Sequence, residues 1–271
     1  MQLIDIGVNL THDSFDHDRT AVLERAAQAG VAQMIVTGST GASTRAALEL
    51  ARALPGRLFA TAGVHPHHAT ELDDALLTQL AGLARAPEIV AIGECGLDYF
   101  RDYSPRDVQR RAFERQLDLA SRIGKPVFLH QRDAHEDFLA IVGEHRHGLA
   151  GGVAHCFTGS AEQVEAYLAL GLAVGITGWI CDERRGTHLP AVVRRIPKDR
   201  LMLETDAPYL LPRDLRPRPH SGRNEPAFLV HVARAVASAR GVSLEELAEE
   251  TTASTRKLFR ISGPSAAEDR T

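Results

Sequence analysis

Cysteine is scarce in this chain: there are three, at positions 95, 156 and 181, and no CxxC pair among them. An odd number of dispersed thiols argues against a disulfide framework and for a reducing compartment. No apolar run approaches the ~20 residues that a membrane-crossing helix requires. The opening stretch, MQLIDIGVNL, lacks the basic n-region of a secretory signal and goes straight into a strand-like segment. A cytoplasmic location away from membranes is therefore expected. Positive charge is not in excess either. Lys and Arg number 31 against 35 Asp and Glu, a net charge of −4, so any binding of nucleic acid has to be local.

What the chain does have is alternation. At 271 residues, with 44% hydrophobic and 24% charged residues, it has the balance of a globular α/β protein of one large domain or two small ones. Short apolar or β-branched runs read as strands at 2–8, 32–37, 58–64, 88–93, 126–130, 151–155, 172–177 and 200–205. Amphipathic segments lie between them, among them 18–29, 105–123 and 160–170. In 105–123 Val108, Ala112, Gln116 and Leu119 share one stripe, as a helix requires. Gly30, Gly124 and Gly171 each close a helical pattern just before a strand. This alternation predicts a (β/α)8 TIM barrel occupying 1–261 as a single domain. An open doubly wound sheet is the rival, but its GxGxxG after the first strand is missing. Residues 262–271 (SGPSAAEDRT) read as a disordered tail.

Barrel enzymes gather their chemistry at the C-terminal ends of the strands. In this chain those ends carry Asn9, His65, Glu94, His130, His155, Trp179 and Asp206. A single His at a strand end is usually a satisfied structural residue. Two His, one Glu and one Asp (His130, His155, Glu94 and Asp206) at equivalent rim positions instead suggest a shared cation, which offsets the cost of desolvating the carboxylates. Imidazole and carboxylate together suit Zn, Mn, Fe or a hydrated Mg. Strand alternation points Glu204 and Asp206 to the same side, and Asp206, nearer the rim, is the better general base.

Residues 213–223 (RDLRPRPHSGR) hold four Arg and one Asp, a local charge of +3, directly after the last strand. Arg213, Arg216 and Arg223, with Arg132 just past His130, are candidate phosphate contacts, since a guanidinium can fork two N–H donors onto phosphate oxygens. Arg184 and Arg185 are offset by Asp182 and Glu183 beside them. His65 is a further candidate for a phosphate or leaving-group contact, while His67 and His68 read as surface residues. Tyr99, Phe100 and Trp179 are candidates to stack on a base, core packing being at least as natural for Phe100. Asp133 and His135 could orient His130, although helix capping explains them more simply. Asp5 reads as a buried, hydrogen-bonded strand residue. The three cysteines have no base arranged beside them.

Six stretches in order, GVHPH (63–67), IGECGLD (92–98), HQRDAHE (130–136), HCFTG (155–159), GITGWICDERRG (175–186) and ETDAPYLLPRDLRP (204–217), resemble the TatD family of metal-dependent deoxyribonucleases. The resemblance runs from residue 4 to about 260. It implies an amidohydrolase-like barrel with 3′-to-5′ exonuclease activity on the 3′ ends of single-stranded DNA or RNA, and a role in DNA repair or degradation. It also implies that Glu94, His130 and His155 ligate a divalent metal and that Asp206 binds metal and activates water, which makes Asp206 and Glu94 the expected catalytic residues. Mg is the expected working ion, with Mn and Zn as alternatives. Many relatives in the wider superfamily carry H-x-H at the end of strand one. Gly7 and Asn9 stand there instead. One well-held ion on Glu94, His130 and His155 is therefore expected, with any second ion recruited weakly by Asp206 and substrate phosphate. The rival readings are an amidohydrolase-like hydrolase of a small ester or amide, and a non-catalytic barrel that binds nucleic acid.

Overall fold

The computed structural model describes residues 1–263, so the expected tail lies outside the described residues from position 264 onward. Among the described residues the strands are β1 (Leu3–Val8), β2 (Val31–Val36), β3 (Leu58–Ala62), β4 (Ile89–Asp98), β5 (Val127–Arg132), β6 (Gly152–Ala154), β7 (Ala173–Ile176) and β8 (Leu201–Leu203). The helices are α1 (Arg19–Gln28), α2 (Gly41–Ala53), α3 (Asp74–Leu83), α4 (Arg106–Ile123), α5 (His135–His145), α6 (Ala161–Ala169), α7 (Leu189–Val193), α8 (Leu229–Arg240) and α9 (Leu244–Phe259). Every strand pairs in parallel with the next one in sequence. β8 returns to β1 through the Asp206 N–H, which donates to Gly7 O at 2.8 Å, and the Asn9 N–H, which donates to Ala207 O at 2.7 Å. The molecule is the (β/α)8 barrel that the alternation predicts.

Local chemistry accounts for the elements. In α4 the stripe of Ala112, Gln116 and Leu119 is buried, and Gly124 ends the helix in the left-handed region at φ 68°. Thr40 and Ser43 form a reciprocal cap at the start of α2. Inside the barrel Ile4, Ile6, Ile35, Val90, Phe128, Val153 and Met202 pack together, and Phe259 at the end of α9 and Ile261 just after it close this cluster. A larger apolar layer lies between strands and helices. No single helix among the described residues is long and apolar enough to cross a membrane.

One strand departs from expectation in a way that shapes the site. β4 does not stop at Gly93 but runs to Asp98, buried throughout. Between Ile92 and Cys95 it spends three steps where β5 spends two, from Val127 to Leu129. That extra residue is a bulge, a device that re-aims a side chain. Gly93 makes it feasible: its φ is +134°, and a Cβ there would overlap the carbonyl oxygen of Phe128. Glu94 is thus turned into the barrel mouth from within a strand rather than from its end.

Candidate active site

A cavity of about 870 Å³ opens at the C-terminal ends of the strands, and Glu94, His130, His155 and Asp206 all line it. Three potential ligand atoms meet at its floor. Glu94 Oε1 lies 3.0 Å from His130 Nδ1 and 2.7 Å from His155 Nε2, and the two ring nitrogens are 3.3 Å apart. Each imidazole is backed by a carboxylate on its other nitrogen. His155 Nδ1 is 3.3 Å from Glu204 Oε2, and His130 Nε2, buried with no closer partner, is 3.5 Å from Asp98 Oδ2. With an ion bound, that arrangement would set the tautomers, Nδ1–H on His155 and Nε2–H on His130, and leave the opposite lone pairs for the ion. Phe128 stacks beneath the His155 ring at 4.7 Å and holds it from the barrel interior.

The electrostatics follow from this crowding. Burial opposes charge on all three groups. Yet Glu94 is held well below the usual carboxylate range by His65, His155 and His130, and His155 is raised well above the ordinary imidazole value by Glu94 and Glu204. His130 is raised against its burial by Asp98 and Glu94. Protons thus occupy the space between one carboxylate and two imidazoles, and a divalent cation can displace them. The donor set of one carboxylate oxygen and two carboxylate-backed imidazole nitrogens fits such an ion.

His65 lies near the same centre, with Nε2 at 3.3 Å from Glu94 Oε1, and its ligand atom is within 4.8 Å of those of Glu94 and His130. Its Nδ1, however, accepts the His67 backbone N–H at 3.1 Å. Burial, with the neighbouring His130 and His67, lowers it to about 4 against the pull of Glu94. A neutral ring whose Nδ1 is an acceptor carries its proton on Nε2, which makes His65 a donor toward Glu94 and the cavity in the metal-free protein.

Asp206 stands apart from the trio. Its backbone is left-handed at φ 55°, and its Oδ1 accepts from the Asn9 side-chain amide at 3.0 Å. Burial raises its carboxyl to about 7, helped by Glu94 and Glu204 and opposed by His155 and the Asn9 hydrogen bond. Asn9, which stands where an H-x-H imidazole would be, is therefore spent on Asp206. Glu204 is fully buried and accepts from the Cys156 N–H as well as from His155. A Cβ on either Gly7 or Gly175 would overlap one of its two oxygens, so both glycines make room for that carboxylate.

The arginines divide. Arg132 lines the cavity, with its guanidinium 3.8 Å over the Phe100 ring. Arg213, Arg216 and Arg223 do not line it. Arg213 is 3.3 Å from Glu183 and 3.7 Å from Asp182, and Arg216 donates to the carbonyls of Arg213 and Leu215. Arg223 is held by Asp18 at 2.7 Å and Glu225 at 2.9 Å, over the Phe15 ring. The charge of the 213–223 loop, taken alone, overlooks these acids from other segments. Arg101 and Arg185 line the cavity instead.

Other placements also differ from expectation. His67 is not a free surface residue: its Nε2 is 2.8 Å from Asp98 Oδ2, and both residues line the cavity. Asp133 and His135 do not orient His130; Asp98 stands behind that ring, and His135 meets Tyr167 at 3.3 Å. Phe100 is exposed rather than in the core. Asp98 had a signal in the sequence. Glu94, Gly96 and Asp98 alternate along one strand, so both carboxylates face the same side. Asp5 is fully buried and accepts from the Thr205 N–H and hydroxyl at 2.9 and 2.5 Å. Burial, with Asp206 and Glu204 close by, pushes the Cys156 thiol well up, which leaves it protonated.

Similar proteins match this chain over most of its length. A "3′-5′ ssDNA/RNA exonuclease TatD" of Pantoea vagans is 53% identical over 259 residues, covering 96% of this chain and 100% of that protein. One of the same name from Erwinia billingiae is 52% identical over 96% of this chain and 99% of its own length. A crystal structure of a TatD homologue from Escherichia coli K12 superposes with a TM-score of 0.87 at 32% identity, covering 96% of this chain and 98% of that one. A TatD-family hydrolase from Entamoeba histolytica gives a TM-score of 0.85 at 27% identity, with coverages of 97% and 99%. The family model described as "TatD related DNase" matches residues 4–260, a span that holds all of the barrel's described strands but the first residue of β1, and the chain belongs to that family.

Proposed function

We propose that this protein is a metal-dependent 3′-to-5′ exonuclease that hydrolyses phosphodiester bonds at unpaired 3′ ends of DNA and RNA. The observation that carries this reading is the meeting of Glu94 Oε1, His130 Nδ1 and His155 Nε2 within 3.3 Å of one another, with Asp206 lining the same cavity. The direction of attack and the single-stranded substrate rest on the names of the relatives.

Glu94, His130 and His155 would hold the ion, Mg in use with Mn or Zn as substitutes, and Asp206 with substrate phosphate would recruit any second ion weakly. When bound, the ion supplies Lewis-acid charge at a phosphoryl oxygen and acidifies water. The remaining work falls to the chain. Asp206, lining the same cavity, would take the proton of the attacking water. His65 Nε2–H donates to a non-bridging phosphoryl oxygen as its charge grows. Arg132, Arg101 and Arg185 are positioned to receive the flanking phosphates.

The test is incubation of the purified protein with single-stranded DNA labelled at the 5′ or the 3′ end, with Mg or Mn and then with EDTA. Stepwise shortening from the 3′ end that stops with EDTA is expected. Intact DNA under every metal condition, with a small ester or amide cleaved instead, would overturn the reading.

A further inference from the structure

Among the described residues, four large apolar side chains are strongly exposed: Met1, Phe100, Tyr103 and Tyr209, at 50, 55, 66 and 51%. Isolated exposed rings are ordinary and call for no explanation. These are not scattered. All three aromatics line the one cavity that holds Glu94, His130 and His155. They also fall on opposite sides of it. Phe100 and Tyr103 follow β4, and Tyr209 follows β8. In a closed eight-stranded cylinder with strands in sequence order, β4 and β8 face each other across the axis.

Each ring is steadied by a polar neighbour. Arg132 lies 3.8 Å over Phe100. The ring of His67, itself tied to Asp98, meets Tyr103 at 4.8 Å, and that of His12 meets Tyr209 edge-on at 5.6 Å. A ring already restrained loses little freedom when a flat partner settles on it. Trp179 differs, being partly buried against the core.

We propose that Phe100 and Tyr103 form one base-stacking subsite and Tyr209 a second, so that the bases on the two sides of the scissile phosphate are held on opposite walls of the mouth. This rests on the exonuclease reading and sharpens it. The ligand is a strand with at least two adjacent unpaired bases, and a base held in a duplex cannot reach its wall. Stacking tolerates every base, which suits turnover without sequence preference.

The test pairs protein rings with substrate bases. KM and kcat are measured for wild type, Phe100→Ala with Tyr103→Ala, and Tyr209→Ala. The substrates are a short single-stranded oligonucleotide and two versions made abasic at the last or at the penultimate nucleotide. Each substitution is expected to raise KM roughly 5- to 150-fold on the intact strand and to change kcat less. Each KM penalty is expected to vanish on one abasic strand only, and the strands are expected to differ for the two walls. Penalties that persist on both abasic strands, or unchanged KM values, overturn the proposal. Binding of the fluorescent strand to the hydrolysis-impaired Glu94→Gln protein separates the two readings. If wild type cleaves nothing yet binding weakens with each wall, stacking stands and the exonuclease reading falls. No binding, or binding indifferent to both walls, ends the proposal.

Discussion

Glu204 offers the sharpest perturbation, because it touches no substrate yet determines what His155 presents. Its carboxylate is fully buried, backs His155 Nδ1 at 3.3 Å and accepts the Cys156 N–H in a space kept open by Gly7 and Gly175. Glu204→Gln preserves the volume but removes the charge that makes His155 basic, and its amide N–H2 must face one of two donors. Loss of such a backing carboxylate weakens metal binding or activity about 10- to 100-fold, or about 1.4–2.7 kcal/mol. Glu204→Ala also strands two buried donors, at about 1–3 kcal/mol each, so it should lower stability even without metal. Gly175→Ala keeps the charge but drives a methyl into Glu204 Oε1, and should weaken the ion in the same direction. Chelator competition measures the ion's affinity, and urea unfolding of metal-free protein measures the fold. Metal affinity and hydrolysis in Glu204→Gln within twofold of wild type would refute the role given to this carboxylate.

Three further outcomes follow from the same geometry. A base works only when deprotonated, and Asp206 is raised to about 7 in the metal-free protein, so kcat/KM should climb with pH along a limb no higher than about 7. The bound cation moves that limb lower, and Asp206→Asn abolishes it; a flat profile contradicts the assignment. Asp5 is raised from 3.8 to about 8, by burial first and Glu204 last, against its bonds to Thr205 and Gly7. The folded state therefore holds a proton that the unfolded chain has lost, and stability of the metal-free protein should fall by up to about 1.4 kcal/mol per unit as pH rises from 4 to 8. Urea titrations across that range should show a shallower slope for Asp5→Asn, and an equal slope would show that Asp5 is ionised in the fold. Gly96 sits at φ +144°, and a Cβ there would overlap the His130 carbonyl oxygen, so Gly96→Ala should destabilise by more than about 2 kcal/mol. Unfolding midpoints equal to wild type would count against the close packing of β4 on β5.

The barrel was legible because its strands are short apolar runs and some of its helices end at or near a glycine, as α4 does at Gly124, both local signals. The candidate metal ligands were legible because each closes or interrupts such a run. What was hidden depends on contacts between distant segments. Arg223 reads as a free cation until Asp18 and Glu225 arrive from elsewhere in the chain. His67 reads as surface until Asp98 meets it. The bulge at Gly93–Glu94 shows only in the register of β4 against β5, so the sequence pattern ended that strand five residues early. Tyr103 and Tyr209 lie in loops without periodicity, and only the folded barrel brings both to one mouth.

The central claim is that one carboxylate and two imidazoles from three strands share a cation. Anomalous diffraction at the manganese edge, from crystals soaked in Mn²⁺, tests it directly. The account predicts a single strong peak ligated by Glu94, His130 and His155, absent in Glu94→Ala crystals of the same form. A dominant peak bound elsewhere, or no peak at the barrel mouth, would contradict it.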